Sequence, residues 1–348
     1  MLLSELDFPL DESLIAQQPS DRRDESRLFA WDVAADRRDH LVFHDIVERL
    51  RPGDLLVVND TRVIPARLHA TRETGGQAEV LLVRPLADDR WLAMVRPGRK
   101  IRIGSELTFG SDFRATVVGV EEDGSRILQL TWEGDSFEAV LARHGELPLP
   151  PYIRERSHDP ERYQTVYARE AGAIAAPTAG LHFTPDLLAT LEARGVSRAA
   201  VTLHVGPGTF RPVSVEDVRD HVMHAERYHV PEATLEAIMA TRRAGGRVVA
   251  VGTTVVRTLE HLARSTDLAA TAGDSDLYIM PGFPFRLVDA MITNFHLPRS
   301  TLLLLVGAFI EHRSGRSGEG LALLKSAYAE AIARRYRFFS FGDAMFLS

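Results

Sequence analysis

Between Arg67 and Trp132 the chain changes texture, and that change constrains its fold more than any single motif. Apolar runs at 78–83, 91–95, 113–120 and 127–132 succeed one another with no helical period between them. Turn signals separate them: Gly75-Gly76, Ala87-Asp88-Asp89, Arg96-Pro97-Gly98-Arg99 and Glu122-Asp123-Gly124. Strands spaced this way, with no crossover helix, must pair antiparallel, which predicts a small barrel or sandwich. Pro148-Leu149-Pro150-Pro151 then reads as the exit from that region.

Beyond Pro151 strand and helix patterns alternate. Helices are expected at 185–194, 231–243, 254–263, 300–312 and 318–336, and strands at 173–176, 198–203, 247–251 and 287–292. A strand at 54–58, after a short helix at 45–50, has the same buried character and belongs with them. The expectation is an α/β domain with a mixed sheet, built from 1–64 and 150–348 and interrupted by an inserted β domain at 65–149. A length of 348 residues fits about two domains.

The charge balance, 41 Lys+Arg against 48 Asp+Glu, leaves −7. A partner that is a polyanion would therefore meet a local basic patch, not a basic whole. Three such patches stand out: Arg90, Arg96, Arg99, Lys100 and Arg102 around Trp91; Arg154 with Arg156; and Arg334-Arg335-Tyr336-Arg337. With no cysteine, disulfides, thiolate metal sites and cysteine nucleophiles are excluded, and a reducing compartment is compatible. The first residues carry no basic segment and no long apolar stretch, so no signal peptide is expected. The longest apolar run, 302–310, is about half the ~20 residues of a membrane span.

The segment just past each apolar strand is chemically dense. The strand ends lead into Asn59-Asp60-Thr61-Arg62, Pro177-Thr178-Ala179-Gly180-Leu181-His182, His204-Val205-Gly206-Pro207-Gly208-Thr209, Gly252-Thr253-Thr254 and Thr293-Asn294-Phe295-His296. Ligands of open α/β sheets bind outside the carboxyl ends of parallel strands, so five polar clusters there predict one cleft. Any one cluster alone is turn and cap chemistry. No Walker loop, no G-x-G-x-x-G and no H-E-x-x-H occurs. His221-Val222-Met223-His224-Ala225-Glu226 offers two imidazoles three apart, which on a helix would share a face, plus a carboxylate; it is a weak zinc motif better suited to proton transfer. His40 and His44 read as a solvated helix start, and Ser300 and Thr301 as caps of the helix expected after them.

At these same clusters the sequence resembles the S-adenosylmethionine:tRNA ribosyltransferase-isomerase family of queuosine biosynthesis. The matching segments include 15–19 (IAQQP), 26–28 (SRL), 53–68 (GDLLVVNDTRVIPARL), 147–153 (LPLPPYI) and 162–184 (RYQTVYAREAGAIAAPTAGLHFT). They continue through 202–213 (TLHVGPGTFRPV), 221–228, 251–260 (VGTTVVRTLE), 280–306 (MPGFPFRLVDAMITNFHLPRSTLLLLV) and 336–345 (YRFFSFGDAM). Ser275, Tyr278 and Phe341 depart from the family pattern, and Phe341 lacks the hydroxyl that pattern carries. The resemblance implies an α/β domain with an inserted antiparallel β-barrel. It implies transfer and isomerisation of the ribosyl group of S-adenosylmethionine onto 7-aminomethyl-7-deazaguanine at the tRNA wobble position. The products are epoxyqueuosine-tRNA, adenine and methionine.

Such a reaction needs several proton transfers near neutral pH, which histidines and a carboxylate serve. The resemblance offers His182, His204, His224, Glu226, His296 and Asp60 as catalytic candidates. Asn59, Thr61, Arg62, Thr178, Gly206, Thr253, Thr254 and Asn294 are its substrate-binding candidates, and Phe183, Phe210 or Phe295 are candidates to stack on adenine. Arg96, Arg99 and Lys100 are expected to contact a tRNA with a GUN-type anticodon. S-adenosylmethionine is consumed as a substrate, and no further cofactor or metal is expected. A cytoplasmic monomer is expected, away from membranes. The competing readings are a tRNA-binding module with an inactive pocket and a metal-dependent hydrolase built on His221, His224 and Glu226.

Overall fold

The structure, a computed structural model, describes residues 1–134, 136–154, 159–206, 215–264 and 271–348. Arg156, Phe210 and the Pro207–Thr209 part of the third strand-end cluster lie outside the described residues. The chain divides into two compact units. One holds Met1–Thr61, Pro151–Glu170 and Ala176–Ser348, and the other holds Arg62–Pro150 and Ala171–Ala175. No helix among the described residues is long and apolar enough to cross a membrane.

The larger unit is built on a nine-stranded mixed sheet. Its order is Ala272–Ser275, Glu226–His229, Ser197–Leu203, Leu55–Asn59, Val248–Val251, Ala290–Asn294, Ala344–Leu347, Arg27–Asp32, Arg37–Val42. The middle four, from Ser197–Leu203 to Ala290–Asn294, run parallel. Every residue of Leu55–Asn59, Val248–Val251 and Ala290–Asn294 is buried, as parallel strands covered on both faces should be. One face packs Leu56, Val58, Val249, Val251, Ala290 and Ile292 against Phe43, Phe183 and Leu187.

The outermost strand on each side pairs antiparallel, and the sequence pattern does not show these edges. Arg37–Val42 and Ala272–Ser275 are edge strands, mostly polar or exposed, with little hydropathic signal. Glu226–His229 pairs antiparallel with Ser197–Leu203, so the segment 221–226, whose histidines would share a face if helical, is a loop entering a strand. His40 lies in the edge strand, not in a helix start; its ring meets the Tyr336 hydroxyl at 2.9 Å and Glu330 at 2.8 Å. The strand expected at 173–176 is Glu170–Ala173, outside the nine-stranded sheet, and Ile174 joins the core of the smaller unit. Ser300 occupies the cap position of Thr301–Ser314, but its hydroxyl bonds back to the Leu297 carbonyl at 2.9 Å instead of capping, and Thr301 is the first helical residue.

The helix Thr253–Leu262 comes directly after Val248–Val251. Gly252 makes that turn at φ 92°, a left-handed conformation that side-chain-bearing residues avoid. Two buried charged residues then hold the helix. Arg257 pairs with Glu226 and donates to the carbonyls of Leu277 and Ser275. Glu260 accepts the backbone N–H groups of Arg286, Leu287 and Val288, at 2.8, 2.9 and 2.9 Å.

The smaller unit is a six-stranded antiparallel barrel. Arg67–Arg72, Gln77–Pro85, Arg90–Arg96, Arg126–Trp132, Phe113–Val120 and Glu106–Thr108 pair in that order, and Glu106–Thr108 pairs back to Arg67–Arg72. Alternate residues point inward: Ala78, Val80 and Leu82 from one strand, Phe113, Ala115 and Val117 from another. Val140 and Leu141 of the helix Phe137–His144 join this core.

Candidate active site

Because the four central strands are parallel and adjacent, their carboxyl ends share one rim. Spacing strands by ~4.8 Å puts Leu203 and Asn294 roughly 14 Å apart across three steps. Four of the five expected clusters sit at those strand ends, and the fifth reaches the rim through the 3₁₀ helix Thr178–His182.

His182 sits at the Asn294 end of this rim. Its Nδ1 lies 2.6 Å from Ser26 Oγ, and its Nε2 lies 3.2 Å from Asn294 Nδ2. Asn294 Nδ2 also donates to the Phe339 carbonyl at 3.1 Å, while Thr178 donates to Asn294 Oδ1 at 3.3 Å. The amide therefore donates to Nε2, which leaves the ring proton on Nδ1, donated to Ser26. The ring stacks on Phe43 at 5.0 Å. Burial pushes its pKa down to about 4; Asp343 opposes that shift, and Arg337 and Arg23 reinforce it. This imidazole is neutral at pH 7, and both its nitrogens are already bonded.

His204 stands at the other end, half-buried, just past the strand Ser197–Leu203. Nδ1 meets Thr61 Oγ1 at 2.8 Å, and the Thr61 hydroxyl also reaches the Glu170 carbonyl at 3.4 Å. With the hydroxyl donating to Glu170, Nδ1 carries the ring proton and Nε2 is left as the basic nitrogen. Burial lowers its pKa, helped by Arg227 and opposed by Asp60 and Glu170. Asn59 supports this end without reaching outward. Its amide donates to the Leu203 carbonyl at 3.0 Å and its oxygen accepts from Leu203 N and Thr61 N, extending the strand pairing by side chain. Asp60 is likewise engaged, accepting from Thr202 Oγ1 at 2.7 Å and from Arg169 at 2.9 Å.

His296 turns away from His182. Its Nε2 lies 3.1 Å from Thr293 Oγ1, and successive strand residues Thr293 and Asn294 point to opposite faces of the sheet. Burial holds its pKa near 3, and its backbone N–H donates to Tyr328 Oη at 2.9 Å. Glu226 is buried in its ion pair with Arg257, and its other oxygen accepts the Gly206 N–H at 3.1 Å. His224 is exposed in the loop before Glu226. With 221–225 in a loop, His221 and His224 do not share a helix face. Among the described residues no cluster of three or more His, Asp or Glu is placed to hold a metal ion.

Thr253 and Thr254 open the helix behind Gly252, where first-turn N–H groups have no intrahelical partner. Thr254 Oγ1 is buried and bonds to nothing among the described residues. Phe183 and Phe295 are both fully buried: Phe183 packs on Phe43, and Phe295 on Phe29, Tyr328, Tyr336 and Phe338. Neither offers a free ring face. Arg62 belongs to the smaller unit.

On the barrel, Arg96 ends a strand, and Arg99 and Lys100 form the 3₁₀ turn after it; all three are exposed. Beneath them is a residue that sequence reasoning missed. Buried Arg126 donates to the carbonyls of Ile101, Gly98 and Gly124, clamping the basic loop from below. Ser26 and Arg257 were missed also. Their partners, His182 and Glu226, lie 156 and 31 positions away, beyond what local spacing reports.

Comparison with known proteins agrees with this architecture. A family model described as queuosine biosynthesis protein matches residues 3–347. S-adenosylmethionine:tRNA ribosyltransferase-isomerases from Symbiobacterium thermophilum and Thermotoga maritima are 53% and 50% identical, each covering 100% of both chains. A crystal structure of the S-adenosylmethionine tRNA ribosyltransferase from Thermotoga maritima superposes with a TM-score of 0.56, at 40% identity over 99% of this chain and 100% of that one. The chain belongs to the S-adenosylmethionine:tRNA ribosyltransferase-isomerase family of queuosine biosynthesis.

Proposed function

We infer that the rim of the nine-stranded sheet carries out this family's reaction. The enzyme transfers and isomerises the ribosyl group of S-adenosylmethionine onto 7-aminomethyl-7-deazaguanine in tRNA, giving epoxyqueuosine-tRNA and releasing adenine and methionine. The full-length family match carries the activity, and the shared strand rim supports the placement.

The sulfonium acidifies the 5′ methylene beside it, so the first demand is a base. His204 suits that demand: Thr61 holds Nδ1, Nε2 remains, and the lowered pKa keeps the ring neutral at pH 7. Departing adenine next needs a proton. Buried His182 and His296 hold none to spare, and Glu226 and Asp60 are already paired with Arg257 and Arg169. The imidazolium formed on His204 has a depressed pKa and is therefore a strong acid, able to return its proton to adenine. One imidazole thus serves as base and then acid. Thr253, Thr254 and Thr178 would meet the adenosyl group, a role supported by Thr254 Oγ1, which is unpartnered among the described residues. His182, Asn294, Asn59, Glu226 and Arg257 position the rim. His224, His296 and Arg62 remain candidates with no role assigned.

The substrate is a tRNA with a GUN-type anticodon, and the Arg96, Arg99 and Lys100 loop is its phosphate contact. The enzyme works in the cytoplasm, as a monomer. The deciding experiment incubates the protein with S-adenosylmethionine and tRNA bearing 7-aminomethyl-7-deazaguanine. Adenine release matched by a mass gain on the tRNA supports the assignment. Binding of tRNA without adenine release would leave the inactive module instead.

A further inference from the structure

A cleft of about 430 Å³ opens between the strands Arg27–Asp32 and Arg37–Val42 and the residues just past the helix Gly320–Ala333. Arg27, His40, Leu41, Val42, Arg334 and Tyr336 line it, with Asp45. It lies on the same edge of the sheet as His182: Leu28 pairs with Ala344, Ala344 with Asn294, and Ser26, next to Arg27, bonds His182. Its volume falls in the range of small-ligand sites.

Arg27 gives the cleft its chemistry. Four of its five N–H groups are committed: Nε and Nη2 to Asp343, Nη1 to the Arg334 carbonyl, and Nη2 also to the Arg335 carbonyl. One face of the guanidinium covers the Tyr336 ring, 4.2 Å from its centroid. Tyr336 is itself fixed, its hydroxyl bonded to His40, which in turn meets Glu330. Yet the Arg27 side chain remains 38% exposed and lines the cleft. With the plane locked at its edge and covered on one side, what Arg27 presents is its opposite face. Such a surface cannot form a bidentate clasp on a phosphate, but it is a rigid cationic platform for a flat ring. Leu41 and Val42 supply apolar walls, and Arg334, its side chain 56% exposed and its Nε 3.6 Å from Glu330 Oε1, also lines the cleft. Asp45, the one acid lining the cleft, accepts the Val42 N–H and faces His44.

Single-stranded RNA is bound by stacking bases on aromatic rings and guanidinium planes while cations track the phosphates. We propose that this cleft holds the base of the nucleotide flanking the reacting one, stacked on the Arg27 guanidinium, with Arg334 taking its phosphate. The proposal rests on the reading that the rim acts on a tRNA anticodon loop.

The test measures dissociation constants of anticodon stem-loops, which require no turnover. Each nucleotide adjoining the wobble position is replaced in turn by an abasic residue and by 5-nitroindole, which stacks without hydrogen bonding. At one flanking position the abasic residue should weaken binding about 10-fold, while 5-nitroindole restores it. In Arg27→Lys, checked for an unchanged unfolding temperature, the abasic penalty should vanish. Arg334→Ser, which spares the Arg27 network, should flatten the salt dependence. Equal affinity of native and abasic loops at both positions overturns the proposal, as does an undiminished penalty in folded Arg27→Lys. Displacement of the loop by free nucleoside monophosphates at matching concentrations would reassign the cleft to a small nucleotide. Adenine release is measured separately, so loss of the catalytic reading is recorded apart from loss of this one.

Discussion

His182 and His204 occupy opposite ends of one rim and differ in what they leave free. Around His182, the Ser26 hydroxyl, the Asn294 amide and the Phe43 ring account for both nitrogens and one face. Around His204 a single threonine holds one nitrogen, and the ring is half-buried. On the proposed reading the enclosed His182 contributes architecture, whereas His204, held on a single side, keeps a proton site for chemistry.

Substitutions should separate the two. His204→Ala should lower kcat by more than ~100-fold while stability changes by less than ~1 kcal/mol. Steady-state turnover and denaturant melts on the same preparation check this, and near-normal turnover would remove His204 as the base. His182→Ala should act the other way round, costing roughly 2–4 kcal/mol by stranding Ser26 and Asn294 in a buried setting.

The same contrast has a pH signature. Folding lowers the His182 pKa from 6.5 to about 4, so below 6.5 the unfolded chain takes up a proton that the folded chain refuses. Stability is therefore complete above pH 6.5 and falls as pH drops toward 4, by on the order of 3 kcal/mol. His296, held near 3, acts in the same direction. Urea melts across this window should show the slope in the native protein and a shallower one in His182→Ala. Equal slopes would mean that His182 is less enclosed than its partners indicate.

The fold was legible where burial writes a period into the sequence. The barrel strands alternate inward and outward, and the central strands of the large sheet are uninterrupted apolar runs. The edges were not legible. Arg37–Val42 reads as RRDHLV, and Glu226–His229 as ERYH; neither pattern separates a strand from a loop, because pairing partners, not hydropathy, define an edge. The site obeyed the same rule. Loops at strand ends were foreseeable from topology, but the direction of each side chain was not. The Thr293–Asn294 alternation that sends His296 away from His182 depends on strand phase, and the pairing of Glu226 with Arg257 depends on a tertiary approach.

The smallest expected effect concerns the barrel, where enclosure and exposure divide between two layers. Replacing Arg96, Arg99 and Lys100 by serine should reduce the salt slope of tRNA binding by roughly 2. Arg126→Met removes no exposed charge, so the slope should hold while affinity falls roughly fivefold through loss of loop order. A slope that drops as far in Arg126→Met as in the triple variant would show that the buried guanidinium itself faces the RNA.

The helix Thr253–Leu262 is gripped at two places, by Glu226 through Arg257 and by the 286–288 backbone through Glu260. Its first turn, with Thr253 and Thr254, inherits that immobility. On the proposed assignment of Thr253 and Thr254 to the adenosyl group, a wall so braced would stay in place while the bound sugar changes shape.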